Sequence, residues 1–398
     1  MSQADWQPGW QPDWQSAGFG LYIHWPFCLA KCPYCDFNSH VSRVVDHGAW
    51  RRALLAEMRH MRALTGPRAL DTVFFGGGTP SLMEPATVAA LIEQAEVLWG
   101  LAEGAEITLE ANPTSAEAGK FADYAAAGVN RLSLGVQALN GADLKALGRR
   151  HSVAEAAVAF DLAREAYPRV SFDLIYARMG QTVAAWEAEL AQALGMAVDH
   201  FSLYQLTIEP GTRFGELYDL GRLKVPEDEV AAEMYELTQA MTAAAGLPGY
   251  EVSNHARPGA ASRHNLVYWR YGDYAGIGPG AHGRLTLPDG ERVATVTARA
   301  PGDWLAAVAG QGHAVVEQTT VKRPDQATEY LLMALRLAEG ADLARYERLA
   351  GAPIDAARIA GLAGDGLVRQ SYGQRGDRLA ATARGRIVLN RVLAELLA

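Results

Sequence analysis

The segment Tyr22-Ile-His-Trp-Pro-Phe-Cys-Leu-Ala-Lys-Cys-Pro-Tyr-Cys35 contains every cysteine of the 398-residue chain. The three are Cys28, Cys32 and Cys35. Pro26 and Pro33 lie in the same segment and oppose a regular helix. Cysteines that served only as small core residues would be scattered along the chain. The spacing therefore predicts a bent loop that directs three thiolates toward one point.

Several roles remain open for these three thiols. A disulfide would use two of them and leave one unpaired. A structural zinc ion needs four ligands, and His24 or His40 could supply the fourth. Three buried structural cysteines are a further alternative. A four-iron cluster has four corners, so three cysteines would leave one iron open to an exogenous ligand.

The spacing Cys-x3-Cys-x2-Cys after a first strand resembles the radical S-adenosylmethionine (SAM) superfamily. The resemblance implies that the cysteines hold a [4Fe-4S] cluster and that the amino and carboxylate groups of SAM chelate its open iron. One electron from the cluster would cleave SAM to methionine and a 5′-deoxyadenosyl radical. In such proteins the cofactor carries the chemistry, and the protein orients and shields it.

Composition and charge indicate a globular protein. The chain is 49% hydrophobic and 20% charged, which is ordinary for a core-forming protein, and its length allows two or three domains. The net charge of -9 argues against a nucleic-acid binder, which would need a basic face. We find neither a run of 18 apolar residues nor a secretory signal, and the cysteine pattern favours the reducing cytoplasm.

Strand and helix patterns alternate through the first half of the chain. Predicted strands cover residues 19–24, 72–75, 106–111, 131–136, 170–176 and 200–206. Predicted helices between them cover residues 50–64, 85–98, 115–127, 142–147, 153–166 and 183–194. Six β–α units in series predict an α/β fold with a parallel sheet and outer helices. The count favours a partial, TIM-like (β/α)6 barrel over the closed eightfold one.

Polar and glycine residues fall at the carboxyl ends of these strands, where such sheets bind ligands. Gly76-Gly-Gly-Thr-Pro80 resembles the radical SAM segment that hydrogen-bonds the SAM amino group. Glu110 resembles an acidic residue that meets SAM, with a capping or salt-bridged carboxylate as the alternative. Arginine can bind the SAM carboxylate through two N–H groups. The resemblance assigns SAM binding to Tyr22, Tyr34, Gly77, Gly78, Thr79, Glu110, Gln137, Arg149, Asp173 and Gln205.

Three further motifs match one subfamily. They are Arg131-Leu-Ser-Leu-Gly-Val-Gln137, Gly148-Arg-Arg-His151 and Phe172-Asp-Leu-Ile-Tyr176. The subfamily comprises the oxygen-independent coproporphyrinogen oxidases and the heme chaperones that resemble them, and the match spans roughly residues 20–284. Ala177-Arg-Met-Gly-Gln181 departs from it, because the family usually has Gly-Leu-Pro there. We therefore expect this loop to be shaped differently.

Two features favour the chaperone branch over the oxidase branch. The oxidases carry a further cysteine two residues after the third one, where this chain has Phe37. They also have a longer N-terminal segment, whereas only 21 residues precede Tyr22 here. The leading interpretation is a heme carrier, and the alternative is a radical SAM enzyme that oxidatively decarboxylates coproporphyrinogen III. The sequence assigns no catalytic residue.

Arg263-His-Asn-Leu-Val-Tyr-Trp269 resembles the HNxxYW motif of the heme chaperones, whose histidine is associated with heme binding. A neutral imidazole is a good axial ligand for heme iron, and flat aromatic rings suit a macrocycle. We therefore predict heme contacts at His264, Tyr268 and Trp269. His255 and His282 are nearby alternatives, and a structural turn with two core aromatics remains open.

The expected domains are a flexible Trp/Gln/Pro-rich arm at 1–17, the barrel at 18–240, an extension with the heme-associated motif at 241–310, and a C-terminal domain at 311–398. That last domain is expected to be mainly helical with a small hairpin, like a winged helix. The resemblance implies heme and recipient hemoproteins, such as respiratory enzymes, as partners. We expect no nucleic acid, a monomer or homodimer, and a cytoplasmic protein that can work at the membrane surface.

Overall fold

The computed structural model describes residues 13–42, 44–372 and 376–398. Trp6 and Trp10 of the predicted arm lie outside these residues. Trp14 lies in a short 3-10 helix, Asp13–Ser16, and its ring packs edge-on against Phe19. The Arg68 guanidinium lies 4.5 Å from the centre of the Trp14 ring. This tryptophan therefore packs on the body of the protein.

Six parallel strands carry the first half of the chain, and the (β/α)6 prediction is confirmed. Strands β1 to β6 are Phe19–Trp25, Leu70–Gly77, Leu101–Ala111, Arg131–Gln137, Arg169–Tyr176 and His200–Gln205. The helices around them are His47–Thr65, Pro85–Trp99, Ser115–Ala118, Phe121–Ala126, Gly141–Ala146, Val153–Ala166, Val183–Met196, Arg213–Asp219 and Asp228–Ala244, with the short 3-10 helix Pro80–Leu82. The predicted helix 115–127 is interrupted at Gly119 and Lys120.

The sheet extends beyond these six strands, which the sequence analysis did not predict. Strands β7 to β11 are Asn254–Ala256, Asp273–Ile277, His282–Thr286, Arg292–Thr297 and Val315–Thr320. The full eleven-stranded order is β11-β10-β9-β8-β1-β2-β3-β4-β5-β6-β7. Strand β8 is parallel to β1, whereas β9, β10 and β11 continue the sheet antiparallel. The order leaves β1 and β6 unpaired with each other, so the barrel is open.

The side chains of β1 point alternately toward the main core and toward the opposite face of the sheet. Phe19, Leu21, Ile23 and Trp25 are fully buried in that core. Successive strand residues point to opposite faces, so Tyr22 and His24 face the other side. Strand β1 lies between β8 and β2 and places these two polar rings at the centre of the sheet.

The C-terminal residues form a second hydrophobic core. Its helices are Arg323–Ala334, Leu343–Ala350, Ala356–Gly364, Ala383–Ile387 and Leu389–Leu397. A small antiparallel sheet joins Ala341–Asp342, Arg378–Ala381 and Val368–Ser371. The predicted combination of helices and a hairpin is confirmed. Helix Arg263–Trp269 precedes β8, and helix Pro301–Gln311 contributes Trp304 and Val308 to the main core.

The final helix, Leu389–Leu397, is amphipathic. Its apolar face, with Leu389, Val392, Leu393 and Leu396, is buried in the second core. Among the described residues, no helix has the length and apolar character needed to cross a bilayer.

Candidate functional site

The three cysteines lie on the loop that follows β1, and this loop is fixed at both ends. Residues Phe27–Cys28 and His40–Val41 pair as a two-residue parallel ladder. At the far side of the loop, the Asn38 amide donates to the carbonyl oxygens of Pro279 and Arg299, both at 2.9 Å. The loop therefore has a defined position next to the segment between β8 and β9.

Each cysteine sulfur has a polar neighbour from a different part of the chain. The Thr79 hydroxyl donates to Cys28 Sγ at 3.4 Å. Arg149 Nη1 donates to Cys32 Sγ at 3.3 Å, and the Ser39 hydroxyl lies 3.7 Å from Cys35 Sγ. A hydroxyl or guanidinium group therefore lies next to each of the three sulfurs.

The thiols are free and half-buried. Burial raises the pKa of the Cys28 thiol, and the neighbouring Cys35 and Cys32 raise it further. The described residues include no group of three or more His, Cys, Asp or Glu side chains placed to hold one metal ion. In a [4Fe-4S] cluster each thiolate binds a different iron, so three free cysteines on one loop fit the cluster's ligand chemistry.

The glycine-rich turn after β2 packs directly on the cysteine loop. The Gly78 N–H donates to the Trp25 carbonyl at 2.7 Å, and the Thr79 N–H donates to the Phe27 carbonyl at 2.9 Å. A Cβ at Gly78 would lie 2.8 Å from the Phe27 carbonyl oxygen, and Gly77 has a φ of +112°. Only glycine tolerates both conditions, because it lacks Cβ.

Arg149 connects the cysteine loop to the ends of β3 and β4. Besides Cys32, it donates to the Gly135 carbonyl at 3.0 Å and to the Asn112 side chain. Its Nε is buried and has no hydrogen-bond partner among the described residues. An arginine with one N–H left over beside the cysteines fits the predicted contact with the SAM carboxylate. Nearby, Gln137 has a positive φ of 71°, which is uncommon for a residue other than glycine.

Two carboxyl groups come from neighbouring parts of the sheet: Glu110 lies near the end of β3, and Asp173 lies within β5. Burial and, to a smaller extent, the nearby Asp173 raise the pKa of Glu110 to about 8, while the Gly77 N–H acts in the opposite direction. Burial also raises the pKa of Asp173 to about 6. A cationic ligand near Glu110 and Asp173 would favour their ionised forms, because a positive charge stabilises a carboxylate.

Four of the ten predicted SAM residues line one or the other of two cavities. Tyr22, Gly77 and Glu110 line a cavity of about 740 Å³. Gln205 is exposed and lines a second cavity of about 380 Å³, together with Ala177. Tyr34 packs against Phe214 beside the cysteine loop, with ring centres 6.2 Å apart.

The larger cavity also receives side chains from the second half of the chain. Tyr268 and Trp269 of the predicted heme motif line it, as does Tyr274 of β8. Charged and polar residues come from β9, from the segment after β10 and from the C-terminal core; they are His282, Arg284, Arg299 and Glu329. A volume of this size is typical of small-molecule sites, which usually measure roughly 300–1,000 Å³.

His264 is placed differently from the other two residues of its motif. It is 1% exposed, and its ring stacks on Phe74 with ring centres 4.9 Å apart. Nδ1 lies 2.7 Å from the Thr72 hydroxyl, and Nε2 lies 2.7 Å from the Tyr268 hydroxyl. Burial lowers the pKa of His264 to about 3. The structure thus brings Tyr268 and Trp269 to the cavity and leaves His264 among buried partners.

His282 is an alternative heme contact on the sequence alone, whereas Arg284, Arg299 and Glu329 are not distinguished there. The segment His282-Gly-Arg-Leu-Thr286 could have predicted a strand. Its polar residues alternate with small or apolar ones, as in a strand with one solvent-exposed face. Strand β9 lies beside the cysteine loop because β8 pairs with β1. No local sequence pattern specifies this strand pairing.

Comparisons with known proteins show to which family the chain belongs. The model of the Radical SAM superfamily matches residues 22–192. The heme chaperone HemW of Escherichia coli K12 is 38% identical over 95% of this chain and 98% of its own length. HemW of Bacillus subtilis 168 is 34% identical over 94% and 98%.

Two further comparisons come from eukaryotic relatives and from solved structures. The mitochondrial radical S-adenosyl methionine domain-containing protein 1 of Danio rerio is 42% identical over 80% of this chain and 73% of its own length. The structure of coproporphyrinogen III oxidase from Escherichia coli matches with a TM-score of 0.77. It covers 96% of this chain and 90% of that chain at 22% identity, and it therefore supports the fold alone.

Proposed function

Because the chain belongs to the radical SAM superfamily and, within it, to the group of HemW homologues, we propose that it is a heme chaperone. In this proposal it binds heme and delivers it to hemoproteins such as respiratory enzymes. It works in the cytoplasm, and contact with the membrane surface would bring it to such recipients. The observation that carries the proposal is the cavity of about 740 Å³ that joins the two predicted ligand regions.

Membership of the superfamily implies a [4Fe-4S] cluster and SAM. In the proposal, Cys28, Cys32 and Cys35 hold the cluster, and Arg149 and the turn at Gly77, Gly78 and Thr79 orient SAM beside it. When bound, the cluster supplies one electron that can cleave the SAM sulfonium. The remaining predicted SAM contacts are Tyr22, Tyr34, Glu110, Gln137, Asp173 and Gln205.

Heme fits the larger cavity by its chemistry. Tyr268, Trp269 and Tyr274 offer flat, largely apolar surfaces of the kind that pack on a macrocycle. Tyr22 and Glu110 line the same space, so heme would lie next to the bound SAM. Phe37 lines it too and is 63% exposed on the cysteine loop.

A heme titration tests the carrier function. Anaerobically reconstituted protein should bind heme in a one-to-one ratio, followed by its Soret absorbance, and should pass it to an apo-hemoprotein. Trp269→Ala should weaken heme binding by about tenfold, because it removes a large aromatic contact. Tyr372→Ala is the matched control, since Tyr372 is 73% exposed and does not line the cavity. Equal affinities in wild type and Trp269→Ala would remove this cavity from the proposal.

The oxidase alternative is tested with the same preparation. Reduced protein with SAM should leave coproporphyrinogen III unchanged, because the proposal assigns this chain a carrier role. Protoporphyrinogen formed over several turnovers would contradict the carrier role and support the enzyme of porphyrin synthesis.

A further inference from the structure

We propose that His282 is the protein ligand of the heme iron and that Arg299 binds the heme carboxylates at the rim of the cavity. The inference rests on the proposed function, because it names the contacts of the same heme site. It differs from the prediction made from the HNxxYW-like motif, which pointed to His264.

The position of His282 follows from the sheet. Strand β8 lies parallel to β1, with Ile277 opposite Ile23, so its carboxyl end reaches the edge that carries the cysteine loop. The chain then turns through Gly278-Pro-Gly-Ala281 and returns as β9, which starts at His282. His282 is therefore the first strand residue at the cavity, where it is exposed.

His282 and Arg284 point to the same face of β9, because strand residues two apart share a face. Both line the cavity, whereas Gly283 and Leu285 between and after them are buried. The His282 imidazole makes no hydrogen bond to another described residue. Partial burial and the neighbouring Arg284 lower the pKa of His282, which favours the neutral imidazole that coordinates iron.

The other candidate histidines lack a free ring nitrogen or a place at the cavity. His24 lines the cavity, but its Nδ1 lies 3.0 Å from the Tyr22 hydroxyl and its Nε2 lies 2.9 Å from the Asn38 carbonyl. Both ring nitrogens of His264 are also engaged, and its ring is buried. His255 is fully buried, and its ring is tilted against Phe201. His282 is therefore the histidine with a lone pair available to a ligand in this space.

The charged residues fix the orientation of the heme. Arg284 already pairs with Glu329 of helix Arg323–Ala334, with Nη2 3.0 Å and Nε 3.2 Å from Glu329 Oε1. Its charge is thus compensated, and Glu329 would repel a carboxylate. Arg299 is exposed, lines the cavity, and makes no ion pair within the described part of the chain. Its guanidinium is the cation available to the heme carboxylates, which would face away from Glu329.

The iron ligand is tested by spectroscopy and by chemical rescue. The His282→Gly protein with heme should show a shifted Soret band and at least about a tenfold loss of affinity, because an iron–nitrogen bond is lost. Added imidazole should restore the wild-type spectrum, since it can occupy the vacated space and coordinate the iron. His264→Gln should keep the wild-type spectrum.

The result that overturns this assignment is a wild-type heme spectrum in His282→Gly, or loss of that spectrum in His264→Gln with an intact [4Fe-4S] absorbance. Failure of the wild-type protein to bind any heme would overturn the proposed function instead. The two failures are therefore distinguishable in one set of titrations.

The role of Arg299 is tested with a neutral heme. Arg299→Glu should weaken binding of heme by about tenfold, because charge reversal at the rim repels both carboxylates. Binding of heme dimethyl ester, which lacks those charges, should stay within about twofold of wild type. Equal weakening of both ligands would show that the substitution acts through shape or folding and would exclude the proposed charge contact.

Discussion

His264 combines a buried ring with hydrogen bonds at both of its nitrogens. Its ring is enclosed by Phe74, Tyr22 and Tyr268 and is hydrogen-bonded at both nitrogens. Placing a charge there would remove it from water, so burial lowers its pKa to about 3. The residue thereby supports the wall of the cavity through Tyr268.

This state predicts a pH-dependent contribution to stability. A folded-state pKa of about 3 lies below the usual value near 6.5, so the unfolded chain takes up the proton first as pH falls. The stability that neutral His264 contributes is full above pH 6.5 and is lost as pH falls below it. The free energy of unfolding of wild type minus that of His264→Gln should therefore decrease by about 2 kcal/mol between pH 7 and pH 5.

Urea unfolding at pH 5, 6 and 7 measures this difference. Comparing the two proteins at each pH cancels the other titrating groups, among them Glu57, whose pKa burial raises to about 7. A difference that stays constant from pH 7 to pH 5 would contradict a buried neutral imidazole at this position.

The loop after β5, residues 177–181, is held by buried polar contacts. Arg178 is 1% exposed and pairs with Glu189 of helix Val183–Met196 and with Asp143, 2.7 Å away. Gln181 accepts the Arg178 N–H at 3.2 Å and donates to Glu189 at 3.2 Å. Arg178 and Gln181 therefore fix this loop to helix Val183–Met196 through a buried ion pair and a hydrogen bond.

Breaking this buried pair from one side should be costly. Arg178→Met should lower the free energy of unfolding by about 3 kcal/mol or more, because Glu189 would keep a buried charge without a cation. The double variant Arg178→Met with Glu189→Gln should recover part of that loss. Chemical denaturation of the three proteins measures both effects, and a loss below about 1 kcal/mol in the single variant would argue against a buried charge pair.

At the scale of the whole molecule, Arg345 joins the two hydrophobic cores. It lies on helix Leu343–Ala350 and donates to the Arg270 carbonyl at 2.6 Å and to the Tyr271 carbonyl at 3.1 Å. It also pairs with Asp13 next to Trp14, with Nε 2.8 Å from Asp13 Oδ1. Arg270 and Tyr271 directly follow the heme-associated motif, so this contact holds the C-terminal core against the cavity wall.

Arg345→Ala should loosen the C-terminal core more than the barrel. We expect faster amide hydrogen exchange in helix Leu343–Ala350 and helix Arg323–Ala334, whereas strands β1 to β6 should keep their protection, because those strands make no bond to Arg345. Arg345→Lys is the matched control; it keeps the charge but lacks the planar set of donors, so partial loosening is expected. A uniform change across both cores would mean that they unfold as one unit.

The sequence by itself determined the barrel and the cysteine loop. Hydrophobic alternation fixes where strands and helices lie, and the three cysteines fall within eight residues, so one loop presents them whatever the rest of the chain does. The glycine-rich turn and the polar residues at the strand ends could also be predicted from the sequence. Each of these features depends on nearby residues of the chain.

Only the tertiary structure decided the cavity and the roles of the histidines. The walls of the larger cavity include Tyr22 on β1, His282 on β9 and Glu329 in the C-terminal core. These residues are far apart in the sequence. They meet because β8 pairs with β1 and extends the sheet, and strand pairing at such separations depends on the packing of the whole chain. The same packing buries His264 and exposes His282, although both are histidines beside aromatic or glycine-rich motifs.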